Sequence, residues 1–353
     1  MDSITAYGEK AKSGGPAGEI LVRNCLTSAL TTPNFFLPST TVSLTVATSD
    51  ASMLAAGASR DYDVYIFDPW TWAQKGWLLR DFARGKEDRV FVLDFFGSET
   101  SYTAAGRGRD SGVRGIAAPF EVSKQVLTAY PAPKVDKAGA YHGTFLGFYV
   151  DSSDVYGAGP GQPVPKEEGS VLIWGKSLEY YQKNLPLLRS LAATPGIKLA
   201  STLPAELGGR LAGLENVTYL GHLSPSEWRE TMDRTAFVLG LKDPLLGPTG
   251  VEAVVHGAIL VNPSYTPQDV GNNRGRGHRS QHGYLEDYVG EPRVCTVSYD
   301  DGESVRRCLE GEPMKEGAVP AEFTREAHGE RVREIFGEAV RRGVERERER
   351  GGR

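Results

Sequence analysis

Short apolar runs rich in β-branched residues recur along the 353-residue chain, and stretches of helical character separate them. This alternation predicts parallel sheets covered by helices, because parallel strands need long crossover connections. The predicted fold class is therefore α/β. The predicted strands are 42–48, 63–67, 90–94, 145–150, 171–174, 197–200, 217–220, 236–240 and 258–262.

A segment rich in glycine and proline interrupts this alternation between Asp151 and Gly169. Its composition suits neither a helix nor a central strand, so we interpret it as an interdomain linker. The length of the chain also favours about two domains. We predict a Rossmann-like unit over 1–160, a second over 161–312, and a C-terminal helix with a charged tail over 313–353.

Charge and composition exclude several classes of protein. A formal net charge of −5 provides no positive field for a nucleic acid. No run of 18 apolar residues and no signal peptide occur, so the chain as it stands is expected to be soluble. Cys25, Cys295 and Cys308 are odd in number and widely spaced, which favours buried thiols over a disulfide framework or a zinc site.

Two helices have clear sequence signals. Ser224 and Pro225 stand at the N-cap and first helical positions, with Glu227 at the capping-box position, and they predict a helix to about Asp233. Apolar residues at three- and four-residue spacing predict a second helix over 321–343. Those apolar residues are Val332, Ile335, Phe336, Ala339 and Val340.

A glycine-rich turn precedes an apolar helical stretch near the N-terminus, and Glu19 falls in the first turn of that helix. One interpretation is that its carboxylate only complements the helix dipole. The other is that small neighbours clear space for a carboxylate at a cleft, where desolvation raises its pKa toward that of a general base. The residues alone leave both open.

A second glycine-bearing loop, Gly247-Pro248-Thr249-Gly250, follows the predicted strand 236–240 and precedes a predicted helix ending near Gly257. Amide groups at such a helix start can hold a diphosphate, and Glu252 could accept hydrogen bonds from ribose hydroxyls. Many loops of this type bind nothing, so the signal is weak alone.

Basic residues are concentrated in the polar segment 266–284. This segment is either a solvated loop or a phosphate clamp, since arginine offers bidentate geometry to phosphate oxygens. The residues concerned are Arg274, Arg276, His278, Arg279 and His282.

Two motif matches are discounted. Asp61-Tyr62-Asp63 resembles a metal-holding Asp-x-Asp, but it leads straight into a predicted strand, where solubility is the commoner role. The glycines of 157–161 follow a strand, but prolines deny them the helix that a dinucleotide fingerprint requires. No metal and no NAD are expected.

Several segments together resemble the catalytic domain of α-1,6-mannosylglycoprotein 6-β-N-acetylglucosaminyltransferases, the N-acetylglucosaminyltransferase V type. They occur in the order of that family and span about 13–340. The segments are Ser13–Glu19, Val92–Glu99, Phe145–Phe148 with Ser152–Asp154, Val171–Lys176, Phe237–Pro263, Ser280-Gln281-His282-x-Tyr284 and Pro320-x-Glu322-Phe323-Thr324.

The resemblance implies a GT-B glycosyltransferase fold, with two Rossmann-like domains facing across a cleft. It also implies an inverting, metal-independent transfer of N-acetylglucosamine from UDP-GlcNAc to a mannose hydroxyl, O6 in a β-1,6 branch, of an N-glycan on a glycoprotein. The family works in the Golgi. A related transferase with another UDP-sugar or acceptor, and a catalytically silent glycan-binding homologue, remain alternatives.

The resemblance also implies roles for single residues. Glu19 matches the catalytic base, and Phe96 and Glu99 fall in the acceptor-binding region. The implied donor-binding residues are Lys176, Gly247, Thr249, Gly250, Glu252, Arg274, Arg276 and His282.

Departures from the family pattern qualify these roles, among them Leu246 in place of the acidic residue before the Gly-Pro of the donor loop. The family's lysine before Ser-Gln-His is absent between Asn262 and Ser280, so Arg274 or Arg276 would replace it. No tryptophan occurs over 106–118, where the family has an aromatic acceptor platform. The chain starts close to the glycine-rich turn, so either the first sheet is trimmed or the sequence is N-terminally incomplete.

Overall fold

A computed structural model describes residues 17–32, 35–36, 64–67, 89–94, 126–131, 144–150, 164–175, 177–266 and 278–351. Over these residues the chain forms two parallel β-sheets flanked by helices. The predicted α/β class with two Rossmann-like units is confirmed. None of the helices in this part combines the length and the apolar character that a membrane span requires.

The first sheet has four parallel strands in the order β1–β2–β3–β4. Helix α1 (Ala17–Thr31) places Leu21, Val22 and Leu26 in the same apolar cluster as Phe91 and Leu127 of the sheet. All five side chains are buried. The strands are β1 (Tyr65–Phe67), β2 (Val90–Asp94), β3 (Val126–Thr128) and β4 (Thr144–Phe145).

The second sheet has six parallel strands in the order β10–β9–β8–β5–β6–β7. This is the strand order of a Rossmann sheet, with its topological switch point between β5 and β8. The strands are β5 (Ser170–Trp174), β6 (Lys198–Ser201), β7 (Thr218–Tyr219), β8 (Phe237–Gly240), β9 (Ile259–Pro263) and β10 (Val294–Val297).

The central strands of this sheet are buried on both faces. Val171 and Ile173 of β5 join one apolar cluster, whereas Leu172 and Trp174 join the other. Successive side chains of a strand point to opposite faces, so a continuous apolar run fills the cores on both sides of the sheet.

Helices connect these strands and begin where the sequence provides caps. The capping box of Ser224 and Glu227 is present, and its helix ends at Arg234, one residue beyond the predicted end. The helices are α2 (Leu178–Lys183), α3 (Leu185–Ala192), α4 (Ala205–Gly208), α5 (Pro225–Arg234), α6 (Thr249–Val255), α7 (Gly283–Tyr288) and α8 (Gly302–Leu309), followed by a 3-10 turn (Ala321–Phe323) and α9 (Arg325–Gly351).

Helix α9 follows the second sheet in the chain but packs on the first unit. Phe336 meets Phe91 of β2 edge-on, with ring centroids 4.9 Å apart. The main-chain oxygen of Leu146 lies 2.8 Å from Nε of Arg331 and 3.2 Å from Nδ1 of His328. The C-terminal segment therefore completes the core of the first unit. The domain boundaries fall partly on 151–163, outside the described residues, and stay predictions.

The strand predicted over 145–150 is wrong beyond Phe145. Gly147 has φ +73°, which an extended strand excludes, and the amides of Leu146 and Gly147 both donate to the oxygen of Thr128. The apolar residues of this segment are buried without forming a strand, so their sequence pattern is the same as that of a buried strand. Strands β3 and β10 were not predicted, and the predicted strand 42–48 lies outside the described residues.

The prediction of three buried thiols is also wrong. Cys295 of β10 and Cys308 of α8 form a disulfide, and only Cys25 is a thiol. Cys25 is buried beside the main chain of Tyr149. The number and spacing of the cysteines did not predict this disulfide. It forms because α8 folds back onto the edge of the sheet and brings residues 13 positions apart into contact.

Replacing Phe336 by alanine should lower the free energy of unfolding by about 3–5 kcal/mol, because a fully buried ring leaves a cavity under α9. Glu334→Ala on the exposed side of the same helix is the matched control and should change it by less than about 0.5 kcal/mol. Denaturant titration of both variants measures the difference. Equal losses of unfolding free energy in the two variants would show that the packing of α9 does not stabilise the first unit.

Candidate functional site

The carboxyl ends of β5 and β8 lie side by side at the switch point of the second sheet. In open parallel sheets, ligands bind in the crevice just beyond such a point. Strand β5 ends at Trp174, and β8 leads through the β8–α6 loop (241–248) into α6. The structure therefore brings Gly247, Thr249 and Gly250 to the place where the topology predicts a ligand.

Gln281 holds the β8–α6 loop in shape. Its Oε1 accepts from the amide of Lys242 at 2.9 Å, its Nε2 donates to the oxygen of Pro244 at 2.8 Å, and its main-chain oxygen accepts from Leu246 at 2.9 Å. Lys242 and Leu246 have φ of 67° and 50°, a left-handed conformation that is costly for residues other than glycine. The hydrogen bonds to this fully buried glutamine offset that cost.

Two glycines allow close packing around the loop. A Cβ atom on Gly247 would lie 2.5 Å from Cζ2 of Trp174, and one on Gly250 would lie 2.7 Å from Cδ2 of His282. Both distances are shorter than real Cβ contacts. Glycine is therefore required for the start of α6 to approach the end of β5 and His282.

Glu252 lies in the first turn of α6 and is 5% exposed. Burial raises the pKa of its carboxyl group to about 7, and a hydrogen bond from the side chain of Trp228 opposes that rise. Its Oε1 has no hydrogen-bond partner among the described residues. A buried oxygen without a partner is costly, so a ligand that donates a hydrogen bond here would be favoured.

His282 is fully buried between the loop and the first unit. Its Nδ1 accepts from the amide of Leu285 at 3.3 Å, and its own amide donates to Oδ1 of Asn262 at 3.0 Å. Burial lowers the pKa of its imidazole to about 3, so the ring is neutral at physiological pH. His282 therefore contributes shape and hydrogen bonding at this site rather than positive charge.

Comparison with known proteins decides the family. The model of glycosyltransferase family 18 matches residues 2–338 of this chain. The chain belongs to glycosyltransferase family 18.

Curated relatives of this family 18 chain are similar at low identity. α-1,6-Mannosylglycoprotein 6-β-N-acetylglucosaminyltransferase A of Cricetulus griseus is 25% identical over 256 residues, which are 68% of this chain and 33% of the relative. The Caenorhabditis elegans enzyme is 24% identical over 348 residues, 90% of this chain and 49% of the relative. The chain thus spans between a third and a half of the length of these relatives.

Solved structures similar to the family 18 chain have low sequence identity. Sucrose-phosphate synthase from Thermosynechococcus elongatus gives a TM-score of 0.47 at 15% identity, covering 86% of this chain and 77% of that one. The calicheamicin glycosyltransferase CalG4 gives 0.40 at 16% identity, covering 84% and 75%.

Several residues predicted for the site fall where the structure gives no side-chain description. Glu19 lies in the first turn of α1, as predicted, but only its backbone is described. The other residues lie outside the described residues altogether. They are Phe96, Glu99, Lys176, Arg274 and Arg276, together with the discounted Asp61 and Asp63.

Arg279 belongs to the basic segment for which solvated and phosphate-clamp interpretations were open. Its guanidinium bonds the carboxylate of Asp287 and lies 3.6 Å from Oε1 of Glu286. These two acids offset its charge, which favours a structural role at α7. Among the described residues, no group of three or more histidine, cysteine or acidic side chains could hold a metal ion.

Sequence reasoning assigned no role to Trp228 or Gln281. Gln281 lies in the Ser-Gln-His segment that resembles the family, but the resemblance implies no role for it. Trp228 follows the capping box of α5, and that signal predicts a helix but not a contact with α6. Nothing in the sequence near Trp228 indicates its effect on the pKa of Glu252.

Gln281→Met should lower the free energy of unfolding by about 2–4 kcal/mol, because the amide of Lys242 and the oxygen of Pro244 lose buried partners. Gln182→Met, at an exposed position of α2, is the matched control and should change it by less than about 0.5 kcal/mol. Denaturant titration gives both values. Equal stability of the two variants would contradict the role given to Gln281.

Proposed function

We propose that this chain transfers N-acetylglucosamine from UDP-GlcNAc to a mannose hydroxyl of an N-glycan, O6 in a β-1,6 branch. The match of family 18 over residues 2–338 is the observation that carries the proposal. The names of the curated relatives, which are mannosylglycoprotein N-acetylglucosaminyltransferases, support the choice of sugar and acceptor.

The second sheet provides the donor side in this proposal. The open oxygen of Glu252 is suited to accept a hydrogen bond from a ribose hydroxyl, and the loop at Gly247 and Gly250 lies beyond the switch point where nucleotides bind in such sheets. Lys176 with Arg274 or Arg276 would neutralise the diphosphate. His282, which is neutral, shapes the floor of the site.

The first unit provides the acceptor side. Glu19 would take the proton from the acceptor hydroxyl while that oxygen attacks C1 of the sugar opposite the UDP. The bond from C1 to the diphosphate oxygen breaks, UDP leaves with the electron pair, and the α-linked donor becomes a β-linked product. General base catalysis of this kind contributes about 10²–10⁴-fold, and Phe96 and Glu99 would help to position the acceptor.

We propose that the transfer needs no metal ion and that the protein works in the Golgi. Amide groups and basic side chains would then stabilise the leaving diphosphate. The disulfide between Cys295 and Cys308 supports an oxidising compartment, where such bonds persist. The net charge of −5 gives no support to a nucleic-acid partner.

Glu19→Gln should lower transfer from UDP-GlcNAc to mannose-terminated glycans by at least about 100-fold, because the amide cannot accept the proton. Calorimetry should show UDP affinity unchanged within about twofold, since Glu19 lies on the acceptor side. The assay is run with EDTA, in which wild-type activity should persist. Absence of transfer by the wild-type protein, or full activity of the variant, contradicts the proposal; transfer of a different UDP-sugar would correct the donor.

Glu252→Ala should weaken UDP binding by about 1.5–3 kcal/mol, because a charge-assisted hydrogen bond to the nucleotide is lost. Glu230→Ala, at an exposed position on α5, is the matched control and should leave the affinity unchanged. Calorimetric titration with UDP measures both variants. Unchanged affinity in Glu252→Ala would remove Glu252 from the donor site.

A further inference from the structure

Lys242 is the second residue after the carboxyl end of β8, in the β8–α6 loop. Gly240, the last residue of β8, is paired in register with Trp174, the last residue of β5. This pair marks the switch point, beyond which ligands bind in sheets of this kind. The half-buried Lys242 therefore lies at the edge of the crevice, and none of the roles that the family resemblance implies falls on it.

The backbone of Lys242 is held in a conformation that suits glycine better than lysine. Its φ of 67° lies in the left-handed region, where a Cβ atom is crowded by the neighbouring carbonyl group. Its amide donates to Oε1 of Gln281 at 2.9 Å, and its oxygen accepts from the hydroxyl of Tyr265 at 2.5 Å; both partners are buried. Glycine could form the same two bonds without the crowding, so the lysine side chain is present at a conformational cost.

The amine of Lys242 has no ion-pair partner among the described residues. It lies 6.0 Å from the centroid of the Tyr299 ring, and the hydroxyl of Tyr299 donates to the oxygen of Gly240 at 2.6 Å. The ring therefore keeps the amine near the end of β8 without neutralising its charge. The next residue, Asp243, is buried and lies 3.5 Å from the amine of Lys183, so this acid is paired with a different lysine.

A crevice that holds a diphosphate needs positive charge, and two other basic residues described there do not provide it. His282 is neutral, because burial lowers its pKa to about 3. The guanidinium of Arg279 is paired with Asp287 and Glu286. A lysine carries a compact charge on a flexible stem, which suits phosphate oxygens in varied positions. Lys242 meets this need from the end of β8.

We propose that Lys242 binds the diphosphate of the nucleotide, while Gln281 and Tyr265 hold its backbone at the edge of the crevice. This inference rests on the proposed function, because it takes a nucleoside diphosphate as the ligand. It gives a physical reason for a long cationic side chain at a position where glycine would be less strained. It also adds a described residue to the cations of the donor site.

The test is calorimetric titration of the full chain with UDP and with uridine, which lacks the phosphates. Lys242→Met should bind UDP about tenfold more weakly, because a charge-assisted contact to phosphate is lost, and should bind uridine within about twofold of wild type. Lys242→Arg keeps the charge and should bind UDP within about threefold of wild type. The UDP affinity of Lys242→Met should also depend less on salt, since one screened charge pair is absent.

Lys242→Gly separates the charge from the backbone conformation. Glycine adopts a φ of 67° without crowding, so this variant should melt at or above the wild-type temperature and bind UDP as weakly as Lys242→Met. A purely structural role for Lys242 predicts a lower melting temperature and equal losses of UDP and uridine affinity. Lys315→Met is the matched control, because Lys315 is exposed near Gly169 and Gly196, which precede β5 and β6 at the opposite end of the sheet. It should leave both affinities unchanged.

The outcomes separate this inference from the function on which it rests. A loss of UDP affinity alone, restored by arginine, supports the role of Lys242. If wild type binds UDP and the methionine and glycine variants bind it equally well, or lose UDP and uridine affinity by the same factor, Lys242 is removed from the donor site and the proposed function stands. A lower melting temperature of Lys242→Gly would overturn the argument from backbone strain. If wild type does not bind UDP, the donor site and this inference fail together.

Discussion

The order of strands in the second sheet is the constraint on which the rest of the site depends. From β5 the chain winds outward through β6 and β7, then returns to place β8 on the other side of β5. Connections that leave in opposite directions open a crevice between the carboxyl ends of β5 and β8. Gly247, Gly250 and Glu252 come after β8 in the chain, so the topology of the sheet alone places them at this crevice.

Within that crevice, the burial of Glu252 determines the electrostatics. Moving a carboxylate out of water favours its neutral form, and one bond from Trp228 offsets only part of that cost, which leaves the pKa near 7. Because Oε1 has no hydrogen-bond partner among the described residues, the unliganded protein is less stable than it would be with that oxygen paired. A hydrogen-bond donor arriving there stabilises the charged form, so ligand binding and ionisation of Glu252 are thermodynamically linked.

The sequence predicts best what depends on neighbours in the chain. The buried strands of the second sheet are continuous apolar runs, and the capping box at Ser224 is a local pattern; both were confirmed. Contacts between distant segments were missed. Gln281 bonds Lys242 across 39 positions, and Cys295 meets Cys308 because a helix returns to its strand. No periodicity or spacing rule encodes such pairings, since they follow from how whole elements pack.

The proposed chemistry requires Glu19 on the first unit to act on a sugar held by the second, so contacts between the units govern its geometry. Within the described part of the chain, aromatic rings provide some of those contacts. His282 packs against Gly250 of α6, and its ring also meets Tyr130, which follows β3 of the first sheet, at 5.0 Å. Tyr284, two residues on, donates a hydrogen bond to Glu322 just before α9. One buried segment thus touches α6, the first sheet and the entry to α9, and any displacement of one unit against the other must repack it.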